Sequence, residues 1–177
     1  LLQRQANLLT HLPDAPFSLR LESATLRGNV QRQLGNPTRC MAQMQPLSTQ
    51  VDTEQTRLPQ QAAAYYTQLG RCLRDVNQAD AAKRLFTRAL DLRRKQGDES
   101  GVAETTLDMA TLQADAGNPE QALRTIATGL DRLRQKAGSA VIVMIIECNV
   151  KPERRDEFLE VIERDAVHSE RDEPGCL

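Results

Sequence analysis

The fold of this chain is decided by residues 60–95, which read QQAAAYYTQLGRCLRDVNQADAAKRLFTRALDLRRK. Small residues stand at Gly70, Ala82 and Ala89, and the large apolar Phe86 lies four positions after Ala82. The spacing i, i+4, i+7 puts Ala82, Phe86 and Ala89 on one face of a helix. The turn signal at residues 77–80 separates Gly70 from this face. The segment therefore predicts two helices that are joined by a tight turn and packed closely at Gly70.

The same pattern recurs along the chain. Turn signals at residues 35–37, 77–80 and 117–119 are spaced by 42 and 40 residues, and periods of roughly 20–50 residues are typical of stacked supersecondary units. Each unit is predicted to be a helix, a turn and a second helix. The residues that match Gly70, Ala82, Phe86 and Ala89 are Ala110, Ala122, Ile126 and Gly129 in the later unit, and Gly28, Cys40 and Met44 in the earlier one.

The repeat predicts the bounds of six helices. Pro46 interrupts the second helix of the first unit and should kink or shorten it, and Asn118 followed by Pro119 suits a helix start. Residues 1–12 are interpreted as the second helix of a preceding unit. An ordinary helical bundle with fortuitous spacing is the alternative. The first helices are predicted at residues 19–34, 60–76 and 101–116, and the second helices at residues 38–50, 79–95 and 119–136.

Over residues 19–136 this pattern of small and large residues resembles the tetratricopeptide repeat, with a longer period, as in relatives found in bacterial regulators. The resemblance implies an α-solenoid of helical hairpins over residues 1–138, whose first helices line a concave groove. The function it implies is a scaffold that binds a peptide or partner protein, expected to be the sensory part of a larger bacterial regulator. Acidic residues in the third unit disfavour the carboxylate clamp of chaperone-binding members. The predicted partner-binding residues are Asn29, Arg32, Gln68, Arg71, Arg74, Glu104 and Asp108.

Solvated helix faces are the alternative interpretation of these groove residues. A second basic cluster lies on the second helix of the middle unit, which faces outward in such stacks, and we interpret it as a solvent-exposed exterior. Neither part of the chain carries the dense basic stripe that nucleic-acid binding requires. The members of this basic cluster are Arg84, Arg88, Arg93, Arg94 and Lys95.

The C-terminal segment differs in style from the repeats. Residues 140–146 are all apolar and largely β-branched, which predicts a short strand buried on both faces. After Lys151 and Pro152, apolar residues return at helical spacing. Residues 173–175 read Glu-Pro-Gly and predict a turn. The apolar positions of the predicted helix are Phe158, Leu159, Ile162 and Ala166.

Residues 139–177 resemble the start of the antibiotic biosynthesis monooxygenase family, through the strand into residues 147–150, residues 151–153 and 156–158, and the turn at 173–177. The resemblance implies an incomplete α+β (ferredoxin-like) barrel. As an alternative function it implies a small cofactor-independent quinol-type monooxygenase or an isomerase, with Asn149 and His168 as weak catalytic candidates. A homodimer through the C-terminal strand is a further expectation. Because the match covers less than half of such a domain, we do not expect this chain to be an enzyme by itself.

Composition limits the remaining classes. The chain has 177 residues, 40% hydrophobic content, no Trp and a net charge of −1, which is typical of a globular protein. No stretch reaches the roughly 20 apolar residues that span a bilayer, and no metal-ligand set or cofactor motif is present. Four widely spaced cysteines predict reduced thiols in a cytoplasmic protein, with a disulfide framework as the alternative.

Overall fold

The computed structural model describes residues 15–137 and 151–172, and within these ranges the regular elements are helices. Contacts divide the chain into two compact units, Leu1–Thr105 and Thr106–Leu177, and each unit is described by itself. Short 3-10 helices cover Gln45–Leu47 and Pro152–Arg154. The α-helices are α1 (Phe17–Gln33), α2 (Pro37–Met44), α3 (Ser48–Glu54), α4 (Pro59–Asp75), α5 (Ala79–Gln96), α6 (Glu99–Asp115), α7 (Pro119–Ala137) and α8 (Arg155–Asp172).

The turns between paired helices share one backbone conformation. Gly35, Asn77 and Gly117 each adopt a positive φ, of 75°, 63° and 77°. In each turn the next residue's N–H bonds back to a carbonyl five residues earlier, as Gln78 does to Leu73 at 2.9 Å. This backbone arrangement closes a helix and reverses the chain. The repeat predicted from the spacing of the turn signals is therefore confirmed.

Close packing at a glycine holds α4 against α5. A Cβ atom placed on Gly70 would lie 2.6 Å from Cε1 of Phe86, well inside van der Waals contact. Ala82 and Phe86 are both fully buried. One repeat earlier, Gly28 faces Met44 in the same way. A small residue in the first helix therefore makes room for a large residue of the second, as the sequence predicts.

The second helix of the first repeat is broken into two helices. α2 ends at Met44, the 3-10 helix Gln45–Leu47 contains Pro46, and α3 then begins at Ser48. Proline lacks the N–H that a continuous helix needs. The predicted interruption at Pro46 is confirmed.

Two adjacent tyrosines of α4 hold the broken helix in place. Tyr65 and Tyr66 are both buried. The Tyr65 hydroxyl donates to the Met44 carbonyl oxygen at 2.9 Å and lies 2.8 Å from the Ser48 hydroxyl. The Tyr66 hydroxyl donates to Oδ1 of Asp52 at 2.7 Å. The break at Pro46 and the helix α3 that follows it are thus both bound to α4.

The cysteines depart from the sequence-based prediction. Cys40 of α2 and Cys72 of α4 form a disulfide bond, with their Cα atoms 6.2 Å apart, and both are fully buried. The prediction of reduced thiols is therefore wrong for this pair. The reason is tertiary, since α2 packs against α4 and brings together two cysteines separated by 32 positions. Cys148 and Cys176 lie outside the described residues.

The second unit begins at Thr106 and contains the rest of the third repeat together with α8. Ala110, Ala114 and Ala122 form a buried cluster with Phe158 of α8, and Ile126 packs against it. The predicted helix after Lys151 is thus present. The strand predicted within residues 140–150 and the turn at residues 173–177 lie outside the described residues, and the predicted domain boundary at residue 138 stays a prediction.

Candidate partner-binding face

The candidate face is formed by the first helices of the repeats. In the first unit it combines residues of α1, α4 and the beginning of α6. Asn29, Arg32 and Arg71 are half-buried, and Glu104 is exposed. Solvent therefore reaches four of the predicted partner-binding residues.

Polar contacts join consecutive first helices along this face. Between α1 and α4, Nη1 of Arg32 lies 3.4 Å from Oδ2 of Asp75. Between α4 and α6, Nη2 of Arg71 lies 2.8 Å from Oε1 of Glu104. The basic and acidic groups predicted to meet a partner are thus placed next to each other. The face offers a peptide donors and acceptors side by side.

Glu104 is the centre of this arrangement in the first unit. Its second carboxylate oxygen accepts from Nη1 of Arg93, the buried arginine of α5, at 3.0 Å. About half of the Glu104 side chain is shielded from solvent, at 49% exposure, and this partial desolvation raises its pKa. The charges and hydrogen bonds of Arg71 and Arg93 outweigh this effect and leave the pKa below its ordinary value. The carboxylate therefore stays ionised and links three helices.

The remaining predicted residues are less accessible. Gln68, Arg74 and Asp108 are 4%, 7% and 8% exposed. Arg74 pairs with the neighbouring Asp75 at 3.1 Å, and Nε2 of Gln68 lies 3.5 Å from Sγ of Cys72. Gln68 and Arg74 therefore sit behind the residues that solvent reaches in the first unit. Asp108 belongs to the second unit.

The basic cluster of α5 is only partly the exterior that the sequence predicts. Arg88 stacks over the Tyr66 ring at 4.2 Å, donates to the Tyr66 hydroxyl at 2.6 Å and pairs with Asp52 at 2.8 Å. Arg93 is buried and bound to Glu104. The prediction is therefore wrong for Arg93, whereas the Arg88 side chain stays 36% exposed. Arginine guanidinium groups pack on aromatic faces and on carboxylates. The aromatic residue Tyr66 is the feature of the sequence that could have indicated the contact of Arg88.

The two enzymatic candidates stay predictions. Asn149 lies outside the described residues, and His168 lies on α8. No group of three or more His, Cys, Asp or Glu side chains within residues 15–137 and 151–172 is arranged to hold a metal ion.

Among the helices that the structure describes, none combines the length and apolar character that crossing a bilayer requires.

Paired helices, left-handed turns and small-to-large packing define a helical-repeat protein. The tetratricopeptide repeat family model matches residues 60–135, and the antibiotic biosynthesis monooxygenase family model matches residues 141–177. The chain thus contains a region similar to the tetratricopeptide repeat family, followed by a segment similar to that monooxygenase family. No curated protein and no solved structure gives a significant match. Tetratricopeptide repeats indicate a protein partner.

Proposed function

We propose that this chain is a protein-interaction scaffold, which binds a peptide or partner protein in the concave groove lined by the first helices of its repeats. The observation that carries the proposal is the contact between Arg71 and Glu104, which sets a guanidinium and a carboxylate side by side at 2.8 Å on a partly exposed face. A mixed-charge peptide is the complementary ligand, since each group can exchange its partner for one on the peptide. Asn29 and Arg32 extend the same face along α1.

The test is a peptide-display selection against the full chain. Selected peptides should bind the Arg71→Gln variant about tenfold more weakly, because one charge-assisted hydrogen bond is lost. The matched control is Arg94→Gln on α5, where the arginine has a longer contact of 3.8 Å with Asp91. Equal affinity for both variants would contradict the proposal, since the ligand would then not touch this face.

A second candidate function is supported by the family match at residues 141–177. On this proposal the C-terminal segment belongs to a quinol-type monooxygenase or an isomerase that is incomplete in this chain. Asn149 and His168 are its weak catalytic candidates. We expect the purified chain to show no turnover of hydroquinones under oxygen or of phosphorylated diketones. Clear turnover would reverse the ranking of the two functions.

Assembly and location follow as expectations. A homodimer through the strand predicted at residues 140–146 is testable by sedimentation, with Ile145→Lys expected to abolish it. The role as the sensory part of a larger bacterial regulator is part of the same proposal. A cytoplasmic location stays a prediction, and the disulfide between Cys40 and Cys72 argues against it, because disulfides persist mainly in oxidising compartments.

A further inference from the structure

Helix α8 is seated on the third repeat although it belongs to the segment similar to a different family. Phe158, 6% exposed, packs into the cluster of Ala110, Ala114 and Ala122. One turn further along, Val161 is also 6% exposed. The three alanines have short side chains, so the large Phe158 ring contributes most of the apolar volume of this cluster. Phe158 therefore anchors α8.

Polar contacts lie on both sides of Phe158 along the chain. The backbone N–H of Lys151 donates to Oδ1 of Asp115 at 2.9 Å, at the end of α6. The Arg154 guanidinium lies over the turn, 3.2 Å from a Cβ placed on Gly117. Beyond the anchor, Nη2 of Arg164 lies 3.1 Å from Oε1 of Glu120. The contacts extend from the turn along the start of α7, so both the position and the direction of α8 are defined.

The docked helix repeats a relationship found elsewhere in the chain. In the first unit, α4 packs against both α1 and α2, the two helices of the preceding repeat. In the second unit, Phe158 of α8 likewise shares one buried cluster with Ala110 of α6 and Ala122 of α7. The end of the third repeat therefore accepts a helix where a further repeat would place its first helix.

We propose that the end of the third repeat is a helix-binding site, separate from the first-helix face, and that α8 occupies it in cis. Its ligand is an amphipathic helix that presents a phenylalanine, an aliphatic residue three positions later and an arginine six positions later. Such helices lay an apolar face into a groove. Attachment to the same chain raises the effective concentration of α8, so α8 excludes a competing helix until it is released.

Part of the apolar surface of α8 stays exposed to solvent, as expected for a helix that binds to the surface of the repeat and is not enclosed by it. Leu159 and Ile162 are 48% and 37% exposed, and they lie beside the buried Phe158 and Val161 on the same helix. The site therefore uses only part of the apolar surface of α8. Loss of Phe158 should release the helix without disturbing the helices of the third repeat.

The test uses the full chain and a fluorescent peptide of residues 151–172. We expect the Phe158→Asp chain to bind the peptide at least about tenfold more tightly than the wild-type chain, in which α8 competes at high effective concentration. Leu159→Asp is the matched control, because the exposed Leu159 should leave the site occupied. A peptide carrying Phe158→Asp should not bind either chain. Binding is followed by fluorescence anisotropy.

A charge exchange locates the bound peptide. Glu120→Arg, introduced into the Phe158→Asp chain, should weaken the peptide several-fold, and a peptide carrying Arg164→Glu should restore part of the loss. If Phe158→Asp reduces the helical content of the repeats, Phe158→Ala and Val161→Asp serve as the releasing variants. A folded, α8-released chain that does not bind the peptide would overturn the proposal. Equal binding by the wild-type and released chains would overturn the occupancy in cis.

Discussion

Arg71 of α4 and Arg93 of α5 hold the two oxygens of one carboxylate, that of Glu104 on α6, at 2.8 and 3.0 Å. Arg71 is half-buried, whereas Arg93 is buried. One glutamate thereby joins both helices of the second repeat to the first helix of the third. The different burial of the two arginines makes their contributions distinguishable.

Glu104→Ala should destabilise the protein more than Arg71→Ala. Removing Glu104 leaves the buried Arg93 with only a 3.9 Å contact to Asp98, which should cost about 1–3 kcal/mol. Removing Arg71 breaks a partly exposed pair, for which about 0.2–1 kcal/mol is expected. Urea denaturation measures both, with Asp91→Ala of the exposed pair with Arg94 as control. Equal losses for all three variants would contradict a linking role for Glu104.

Acid should weaken the same link. The pKa of Glu104 is lowered in the folded chain from its ordinary value of 4.5, so the unfolded chain takes up the proton at higher pH. The stabilisation is therefore complete above 4.5 and is lost as the pH falls through the folded-state pKa. Glu104→Gln should show a flatter loss of stability over this acidic range. Parallel pH profiles of the wild-type chain and the variant would refute this prediction.

Reduction should lower the thermal stability through the bond between Cys40 and Cys72. This bond closes a loop over 32 positions, and native disulfides typically contribute about 2–4 kcal/mol. A dithiol reductant should therefore lower the melting temperature of the wild-type chain. It should not affect a chain carrying Cys40→Ala and Cys72→Ala.

The other two cysteines provide the control. A chain carrying Cys148→Ala and Cys176→Ala should keep the shift caused by the reductant. Peptide mapping without reduction should recover a linked pair that contains Cys40 and Cys72. Alkylation of all four thiols in the unreduced, denatured protein would show that the bond is absent.

Gly70→Ala should destabilise the second repeat. The added Cβ would lie 2.6 Å from the fully buried Phe86, and overpacking of this kind costs about 1–3 kcal/mol. The smaller Phe86→Leu should partly rescue it. Gly129→Ala is the matched helical control, because its Cβ would meet Thr106 only at 3.2 Å. Thermal unfolding that ranks Gly129→Ala as the worse change would contradict this packing argument.

Much of the fold could be predicted because its determinants are local. A positive φ at Gly35, Asn77 and Gly117 depends on a few neighbouring residues, and such residues recur at a fixed spacing. Small and large residues at helical spacing likewise indicate which faces pack. For the same reason the break at Pro46 could be read from one residue type.

The candidate site could be predicted only in part. The resemblance to the tetratricopeptide repeat indicated Asn29, Arg32, Arg71 and Glu104, and solvent reaches all four. It did not indicate that Arg71 and Glu104 bind each other, because they belong to different repeats. Pairing of distant charges depends on the rotation and separation of whole helices.

The sequence by itself determined the repeat, its turns and the small-to-large packing within each hairpin, because these follow from residues close together in the chain. Only the tertiary structure decided the long-range partners. The bond between Cys40 and Cys72, the contact of Arg93 with Glu104 and the seat of Phe158 on the third repeat all join different helices. Such contacts form when stacked helices bury their apolar faces, and no local pattern specifies which side chains then meet.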